Sequence, residues 1–209
     1  MSIDATRRGT PPEAIVALAC PVSAIPAVTR YRSTLITASL QTLKEHNLLE
    51  TYHSRLDPEH REVIRATIAG VWVMPDLVIA HYRACEALRL TPAQQVDIGR
   101  SVGAKIQGTL LGTLASMAKQ AGASPWTFLG QFNRLFERLA MGGGVEVLRV
   151  GPKEALVEIY RVPVFQIPYF ATAWRGTMQG LCELFCTKTY VKSGRLEGEA
   201  RTSYAISWA

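Results

Sequence analysis

The chain has 209 residues, of which 48% are hydrophobic and 19% charged, so it can bury a core of the size that a globular domain needs. The net charge is +6, but no long basic run occurs, which argues against nucleic acid as the partner. No apolar run approaches the roughly 20 residues of a membrane span, and the start of the chain lacks the apolar stretch of a secretory signal.

The first part of the chain is proline-rich and lacks periodic apolar positions. Residues 1–29 are therefore predicted to be a flexible tail, and residues 30–209 a single domain. A first helix is predicted from about Ser33, because apolar residues recur at helical spacing after it. A second helix is predicted to begin at Asp57-Pro58, a favourable cap and first helical residue.

Three further helices are predicted in the middle of the chain. The pattern breaks at Val71–Met74, and a helix starts at Pro75. A long helix is predicted from Pro92 to Gln120, and a fifth begins after Ser124 and ends at the triple glycine 142–144.

The apolar period then changes from that of a helix to that of a strand. Residues 145–150 and 155–162 alternate around a Gly-Pro turn, which predicts a β-hairpin. A helix is predicted from about Tyr169 to Phe185, followed by strands at 187–192 and 202–208. The predicted fold class is α+β, a helical N-terminal half followed by a ββαββ antiparallel-sheet segment.

Glycines are unusually frequent in the long helix. Each costs about 1 kcal/mol relative to alanine inside a helix, so their presence predicts a surface that something approaches closely. The favoured interpretation is the backbone of another helix, and the alternatives are a ligand or the same helix of a second subunit. The glycines lie four apart in two pairs, and the last helix repeats the spacing: Gly99 and Gly103, Gly108 and Gly112, Gly176 and Gly180.

Aromatic residues are spread over the predicted helices. Core filling explains most of them, but a small-molecule pocket is also mostly apolar and could use some. The candidate ligand-binding residues are Trp72, Tyr82, Gly103, Phe128, Phe132, Phe165 and Trp174.

Metal and catalytic motifs give little support for an active site. Cys182 and Cys186 lie one helical turn apart, but a structural zinc site needs about four ligands and no histidine is close in sequence, so buried structural cysteines are the preferred interpretation. The cysteine content, without a Cys-x-x-Cys pair, predicts a reduced, cytoplasmic protein. No nucleophile elbow, dinucleotide turn or phosphate loop is found, so no catalytic residue, metal or cofactor is predicted.

The C-terminal segments resemble a known family in their order. The hairpin VEVLRV-GPKEALVEIYRV, the helix PYFATAWRGTMQGLCELF, the strand TKTYVK and the closing TSYAISW resemble the 4-vinyl reductase domain. That domain belongs to a fold shared with haem–nitric-oxide-binding domains and TRAPP trafficking subunits. Residues 30–209 resemble more specifically a myxobacterial family of unknown function, through LQTLKEHNLLETYHSRLDPEHR, the segment with Trp72 and Pro75, and IGRSVG.

The resemblance implies a dimer and, in several relatives, a hydrophobic small molecule bound between helices and sheet. Zinc-binding cysteines near the last two strands, found in some relatives, are missing, since Thr202-Ser203-Tyr204 stands in their place. A haem-binding histidine is also missing from the C-terminal half.

Three functions follow as hypotheses. The first is a non-enzymatic small-molecule-binding or sensory domain, a homodimer with an apolar pocket between helices and sheet. The second is a protein–protein interaction module without a ligand. The third is a reductase-related enzyme, which rests on fold analogy alone.

Overall fold

A computed structural model describes residues 12–110, 122–194 and 201–209. The N-terminal half is helical, and one further helix lies between the strands of the C-terminal half, as the sequence predicts. The helices are α1 Thr34–Glu45, α2 Leu49–Arg55, α3 Pro58–Arg65, α4 Pro75–Glu86, α5 Pro92–Leu110, α6 Pro125–Leu129, α7 Phe132–Leu139 and α8 Pro168–Cys182, with short 3-10 turns at Val22–Ala24 and Pro163–Gln166.

Two antiparallel sheets complete the fold. A five-stranded sheet has the order β1-β5-β6-β8-β7, and a three-stranded sheet has the order β3-β2-β4. The strands are β1 Glu13–Val16, β2 Arg30–Arg32, β3 Trp72–Val73, β4 Ala140–Met141, β5 Gly144–Gly151, β6 Glu154–Tyr160, β7 Thr189–Ser193 and β8 Arg201–Trp208. The predicted α+β class and the predicted hairpin, now β5 and β6, are confirmed.

Helix α8 covers one face of the large sheet because the strands beneath it alternate. In β8 every second residue is buried, beginning at Thr202 and including Tyr204. The Tyr204 hydroxyl donates a hydrogen bond of 2.9 Å to the carbonyl of Ala171 in α8. Phe165, in the turn before α8, packs on Tyr204 with ring centroids 6.1 Å apart. The core therefore lies between this sheet face and the helices.

The predicted tail needs a correction. The segment 13–16 pairs with β5 as an edge strand, and Ile25 and Val28 are each only 4% exposed. The Val28 amide also donates to the carbonyl of Arg161. The domain thus begins before residue 30. This strand cannot be predicted from the sequence, because a short, half-exposed edge strand has no apolar alternation. Residues 1–11 lie outside the described part of the chain.

Two predicted helices also change their bounds. The fifth is broken at Gly130-Gln131 into α6 and α7. The fourth is described as far as Leu110, and its predicted continuation to Gln120 lies outside the described residues. In the described part of the chain, no helix is both long and apolar enough to span a lipid bilayer.

Candidate functional site

Helices α5 and α8 pack backbone to backbone through their glycines. A Cβ added to Gly99 would lie 1.7 Å from the carbonyl oxygen of Ala173, and one added to Gly176 would lie 1.9 Å from that of Val96. The Thr177 hydroxyl donates a hydrogen bond of 2.8 Å across the contact to the Gly99 carbonyl. The helix–helix interpretation is therefore confirmed for Gly99 and Gly176; for Gly108 it stays a prediction, and Gly112 lies outside the described residues.

This close contact places two small cavities on either side of Trp174. The larger cavity lies among α5, α6, α7 and α8, and the centre of a water-sized sphere can occupy about 30 Å³ of it. One water needs roughly 10–15 Å³ by the same measure, so the cavity has room for one or two such molecules. Its lining is almost wholly apolar: Ile106, Phe128, Phe132, Leu135, Phe136, Leu139, Trp174, Thr177 and Leu181.

The smaller cavity, of about 20 Å³, lies among α1, α4, α5 and α8. It shares Ile106, Trp174 and Thr177 with the larger one, so a few side chains separate the two spaces. Its lining includes the hydroxyl groups of Ser39, Tyr82 and Tyr169. The full lining is Leu35, Ser39, Tyr82, Ile98, Gly99, Val102, Ile106, Tyr169, Phe170, Ala173, Trp174 and Thr177.

The cavities differ in position from the predicted pocket. Helices α5 and α8 form walls of both, but no strand residue of the described part of the chain lines either one. The predicted space between helices and sheet is occupied by side chains such as Phe165 and Tyr204, which are 3% and 0% exposed. The open volume instead lies where helices meet helices.

Three of the seven predicted ligand-binding residues meet at the larger cavity. Phe128 and Phe132 form its aromatic wall, with ring centroids 5.7 Å apart and planes nearly perpendicular, and Trp174 faces them from α8. Tyr82 lines the smaller cavity and donates a hydrogen bond of 3.2 Å to the Leu35 carbonyl.

The other three predicted residues do not line either cavity. Gly103 contacts Thr177, since a Cβ there would lie 3.2 Å from the Thr177 Cα. Phe165 supports Trp174 edge to face, with centroids 5.7 Å apart. Trp72 lies in β3 of the small sheet, where the Arg32 guanidinium covers its ring at 3.8 Å.

Several lining residues were not among the predicted ligand-binding residues. Leu135, Phe136 and Leu139 belong to the apolar face of α7, and the helical spacing in the sequence identifies that face but not what it covers. Ile106 and Leu181 carry no distinguishing signal, because an apolar residue beside a cavity has the same sequence pattern as one in a filled core.

One buried donor of the larger cavity lacks a partner among the described residues. Trp174 is 8% exposed and lines both spaces, and its indole Nε1 has no hydrogen-bond acceptor among the described residues. A buried unpaired N–H costs about 1–3 kcal/mol. A ligand that offered an acceptor to Trp174 would recover that free energy.

A buried polar cluster lies beside the smaller cavity. His81 is fully buried in α4; its Nδ1 shares a hydrogen bond of 2.7 Å with the Tyr52 hydroxyl, and its Nε2 lies 3.7 Å from the Cys85 sulfur. Burial lowers the pKa of His81 to about 3 and raises the pKa of the Cys85 thiol. Both groups are thus neutral at physiological pH, and this cluster is structural rather than acid–base machinery.

Potential metal ligands do not form an enclosed site. Cys182 is buried, which raises the pKa of its thiol, and the Cys186 sulfur bonds to the Cys182 carbonyl at 3.4 Å. Among the described residues, Asp57, Glu59 and His60 have ligand atoms within 4.8 Å of one another, but the two carboxylates are exposed.

The fold is similar to that of H-NOX domains, a group of haem proteins that includes oxygen binders. A mutant H-NOX protein from K. algicida superposes with a TM-score of 0.62 at 11% identity, covering 85% of this chain and 96% of that one. An oxygen-binding H-NOX domain related to soluble guanylate cyclases superposes with a TM-score of 0.56 at 13% identity, covering 85% and 94%. At such identity the likeness shows the fold alone.

A third solved structure, from work on haem distortion in the H-NOX family, gives a TM-score of 0.59 at 13% identity, with 85% of this chain and 94% of that chain covered. No protein-family model matches the sequence. No curated protein matches it significantly.

The residues of this chain do not fit the haem that the fold family implies. Haem iron is held by histidine, thiolate, thioether or phenolate, and among the described residues none of these lines the larger cavity. The last histidine in the sequence is His81, and both of its nitrogens face other side chains, Tyr52 and Cys85. Space for one or two water-sized molecules is also far smaller than a porphyrin needs.

Proposed function

We propose that this chain is a non-enzymatic sensory domain that binds a small apolar molecule, without haem, in the cavity beside Trp174. The observation that supports it is the larger cavity, a partly open apolar space at the meeting point of α5, α6, α7 and α8. Cores are normally packed with few voids larger than a water molecule. An apolar cavity of this kind stays dry and accepts apolar guests.

The chemistry of the lining restricts the ligand class. Aromatic and aliphatic side chains from α6 and α7 favour an apolar body of few atoms, since the free space is about 30 Å³. The unpartnered Trp174 N–H favours one hydrogen-bond acceptor on that body. A charged ligand is disfavoured, because no charged side chain of the described residues lines the cavity to offset its desolvation.

Binding can be coupled to the rest of the domain through α8. This helix lines the cavity with Trp174 and Thr177, holds α5 through Gly176, and rests on the sheet at Ala171. A guest that shifts α8 would therefore change contacts on both sides. The helices and sheet thus supply the two packing surfaces that a sensory switch needs.

We also propose a family relation, a homodimer and a cytoplasmic location for this protein. A relation to the 4-vinyl reductase domain and to the myxobacterial family is supported by the β5-β6-α8-β7-β8 order. Homodimerisation is what that resemblance implies, and a cytoplasmic location rests on the four cysteines without a Cys-x-x-Cys pair. The reductase alternative gains no acid or base from the larger cavity, whose only polar side chains are Trp174 and Thr177.

Xenon is a suitable probe, because it is apolar and small enough for the cavity. We expect saturable chemical-shift changes, in amide NMR spectra of the full chain under xenon, at Phe132, Leu135, Thr177 and Leu181. Phe132→Leu should tighten xenon binding because it enlarges the cavity. Leu135→Phe should abolish it, because the larger ring fills the space from a half-exposed position.

The two variants distinguish xenon binding in this cavity from xenon binding elsewhere on the protein. Unchanged xenon response in both Leu135→Phe and Phe132→Leu, or no saturable response in any protein, would contradict the proposal. A response confined to the residues of the smaller cavity would also contradict it.

Haemin addition tests the haem-free part separately. We expect no histidine-ligated absorption spectrum when haemin is titrated into the full chain, and the same spectra for wild type and His81→Gln. A haem spectrum that disappears in His81→Gln would show that His81 leaves Tyr52 and Cys85 to bind iron, and would overturn this part.

A further inference from the structure

The outer face of the small sheet carries two arginines that no acidic side chain of the described residues pairs with. Strand β2 places Arg32 opposite Trp72 of β3 and Arg30 opposite Met141 of β4. The Arg30 guanidinium also contacts the sulfur of Met74. Tyr31, between the two arginines, points to the core and is 2% exposed. The five outward residues Arg30, Arg32, Trp72, Met74 and Met141 are called the β2 face.

Arg32 is fixed in position on the β2 face. Its guanidinium stacks over the Trp72 ring at 3.8 Å, its NH1 donates a hydrogen bond of 2.9 Å to the Gly70 carbonyl, and its Nε donates one of 3.3 Å to the Arg138 carbonyl. A guanidinium has five N–H donors in a planar fork, so donors remain for a further acceptor. The side chain is thus ordered before any partner arrives, which lowers the entropy cost of binding.

Neither arginine of the β2 face has a carboxylate partner among the described residues. Arg32 bonds only to neutral carbonyls, and Arg30 meets a thioether. Elsewhere arginines do pair: Arg100 with Glu183 at 3.1 Å and Arg149 with Glu13 at 3.2 Å. The β2 face therefore carries two positive charges that the described domain does not neutralise.

The surroundings of these charges are apolar. Met74 is 48% exposed and Met141 42%. Ile68, which receives a hydrogen bond from Ser33 on the chain just after β2, is 68% exposed. Trp, Arg and Met are the residue types that interface centres favour, and flexible methionines suit a surface that adapts to its partner.

We propose that the β2 face binds an acidic, apolar segment of a partner protein, with its carboxylate paired to Arg30 and Arg32 and its apolar side chains on Met74, Met141 and Ile68. Arginine rather than lysine at both positions matches the bidentate geometry of a carboxylate. A lipid surface is the weaker fit, because the Trp72 ring is covered by Arg32 and does not protrude for insertion.

A pair of matched peptides tests this assignment. The probes are acetyl-Leu-Asp-Phe-Asp-Leu-amide and its twin with asparagine in place of both aspartates, each titrated into the labelled full chain. We expect the acidic peptide to shift the Trp72 indole signal and the amides of β2 and β3, and the asparagine twin to bind at least tenfold more weakly. Arg30→Gln should weaken the acidic peptide at least tenfold.

Two controls make the result decisive. Arg83→Gln changes the net charge equally at an exposed position of α4 and should leave the affinity unchanged. Arg32→Lys keeps the charge but loses the fork, and should weaken binding without unfolding the chain. Equal binding of both peptides, equal effects of Arg30→Gln and Arg83→Gln, or no saturable binding would overturn the proposal. Cosedimentation with phosphatidylserine vesicles in the absence of peptide binding would overturn it in favour of a membrane.

Discussion

Gly176→Ala is expected to lower the free energy of unfolding by about 3 kcal/mol, the upper part of the usual cost of overpacking. The new methyl carbon would lie 1.9 Å from the Val96 carbonyl oxygen and 2.8 Å from the Arg100 amide nitrogen. Both are backbone atoms of α5, so neither can rotate away. The helices must separate, and that movement would also disturb the hydrogen bond from Thr177 to Gly99.

Gly180→Ala is the matched control for this prediction. It lies one turn further along α8, and the tightest contact of its Cβ would be the Arg100 side chain, at 3.2 Å from Cγ, while the Arg100 carbonyl oxygen at 3.5 Å is at ordinary van der Waals distance. That side chain can move, and alanine favours the helix by about 1 kcal/mol, so the stability should stay within about 1 kcal/mol of wild type. Urea unfolding followed by circular dichroism measures both; equal stabilities for the two variants would refute the close α5–α8 contact.

Acid should destabilise the domain through His81. Burial lowers the pKa of His81 to about 3 in the folded state, whereas the unfolded imidazole titrates near 6.5. The unfolded state therefore binds the proton first, and this contribution to stability is fully present above pH 6.5 and is lost as the pH falls toward 3. Between pH 7.5 and 5.0 we expect a loss of about 2 kcal/mol from this residue.

The contribution of His81 is isolated by comparing how steeply the free energy of unfolding changes with pH in wild type and in His81→Gln. His81→Gln should be less stable than wild type at neutral pH, because Tyr52 and Cys85 lose their partner, but its stability should fall less between pH 7.5 and 5.0. His53, whose pKa burial also lowers, accounts for part of the remaining slope. A His81→Gln slope equal to that of wild type would contradict the assignment.

The elements of the fold that could be predicted are those whose apolar residues recur at a regular helix or strand spacing or that begin at a clear sequence signal. The β5-β6 hairpin follows from strict alternation around Gly151-Pro152, and α4 follows from Pro75 at its first turn. The small sheet could not be predicted, because β3 and β4 have only two residues each and acquire their partners through the tertiary fold. The break between α6 and α7 at Gly130 also escaped notice, since the apolar spacing continues across it.

The candidate site was only partly predictable, for a physical reason. The glycines of α5 and α8 indicated the helix contact, because glycine in a helix is costly without a close neighbour. The aromatic residues Phe128, Phe132 and Trp174 were selected as apolar, and the same pattern would serve a filled core. A cavity of about 30 Å³ is a small mismatch of side-chain volumes, which depends on the packed coordinates and leaves no mark in the sequence.

Trp72 is a predicted ligand-binding residue that lines neither cavity. It is one of the aromatic residues of which a mostly apolar small-molecule pocket could use some. The structure separates it from the cavities and places it under Arg32 on the β2 face. Residue type alone did not distinguish a ligand wall from an exposed cation–π pair, because both use the same ring.

The central claim is that a haem-free apolar cavity beside Trp174 accepts a small guest. A crystal structure of the full chain under xenon pressure tests this most directly, through the anomalous signal of the bound atom. We expect an ordered xenon bounded by Phe132, Leu135 and Leu181, with the Trp174 ring on its far side. Xenon bound only outside this cavity, or a cavity closed by its own side chains, would contradict the account.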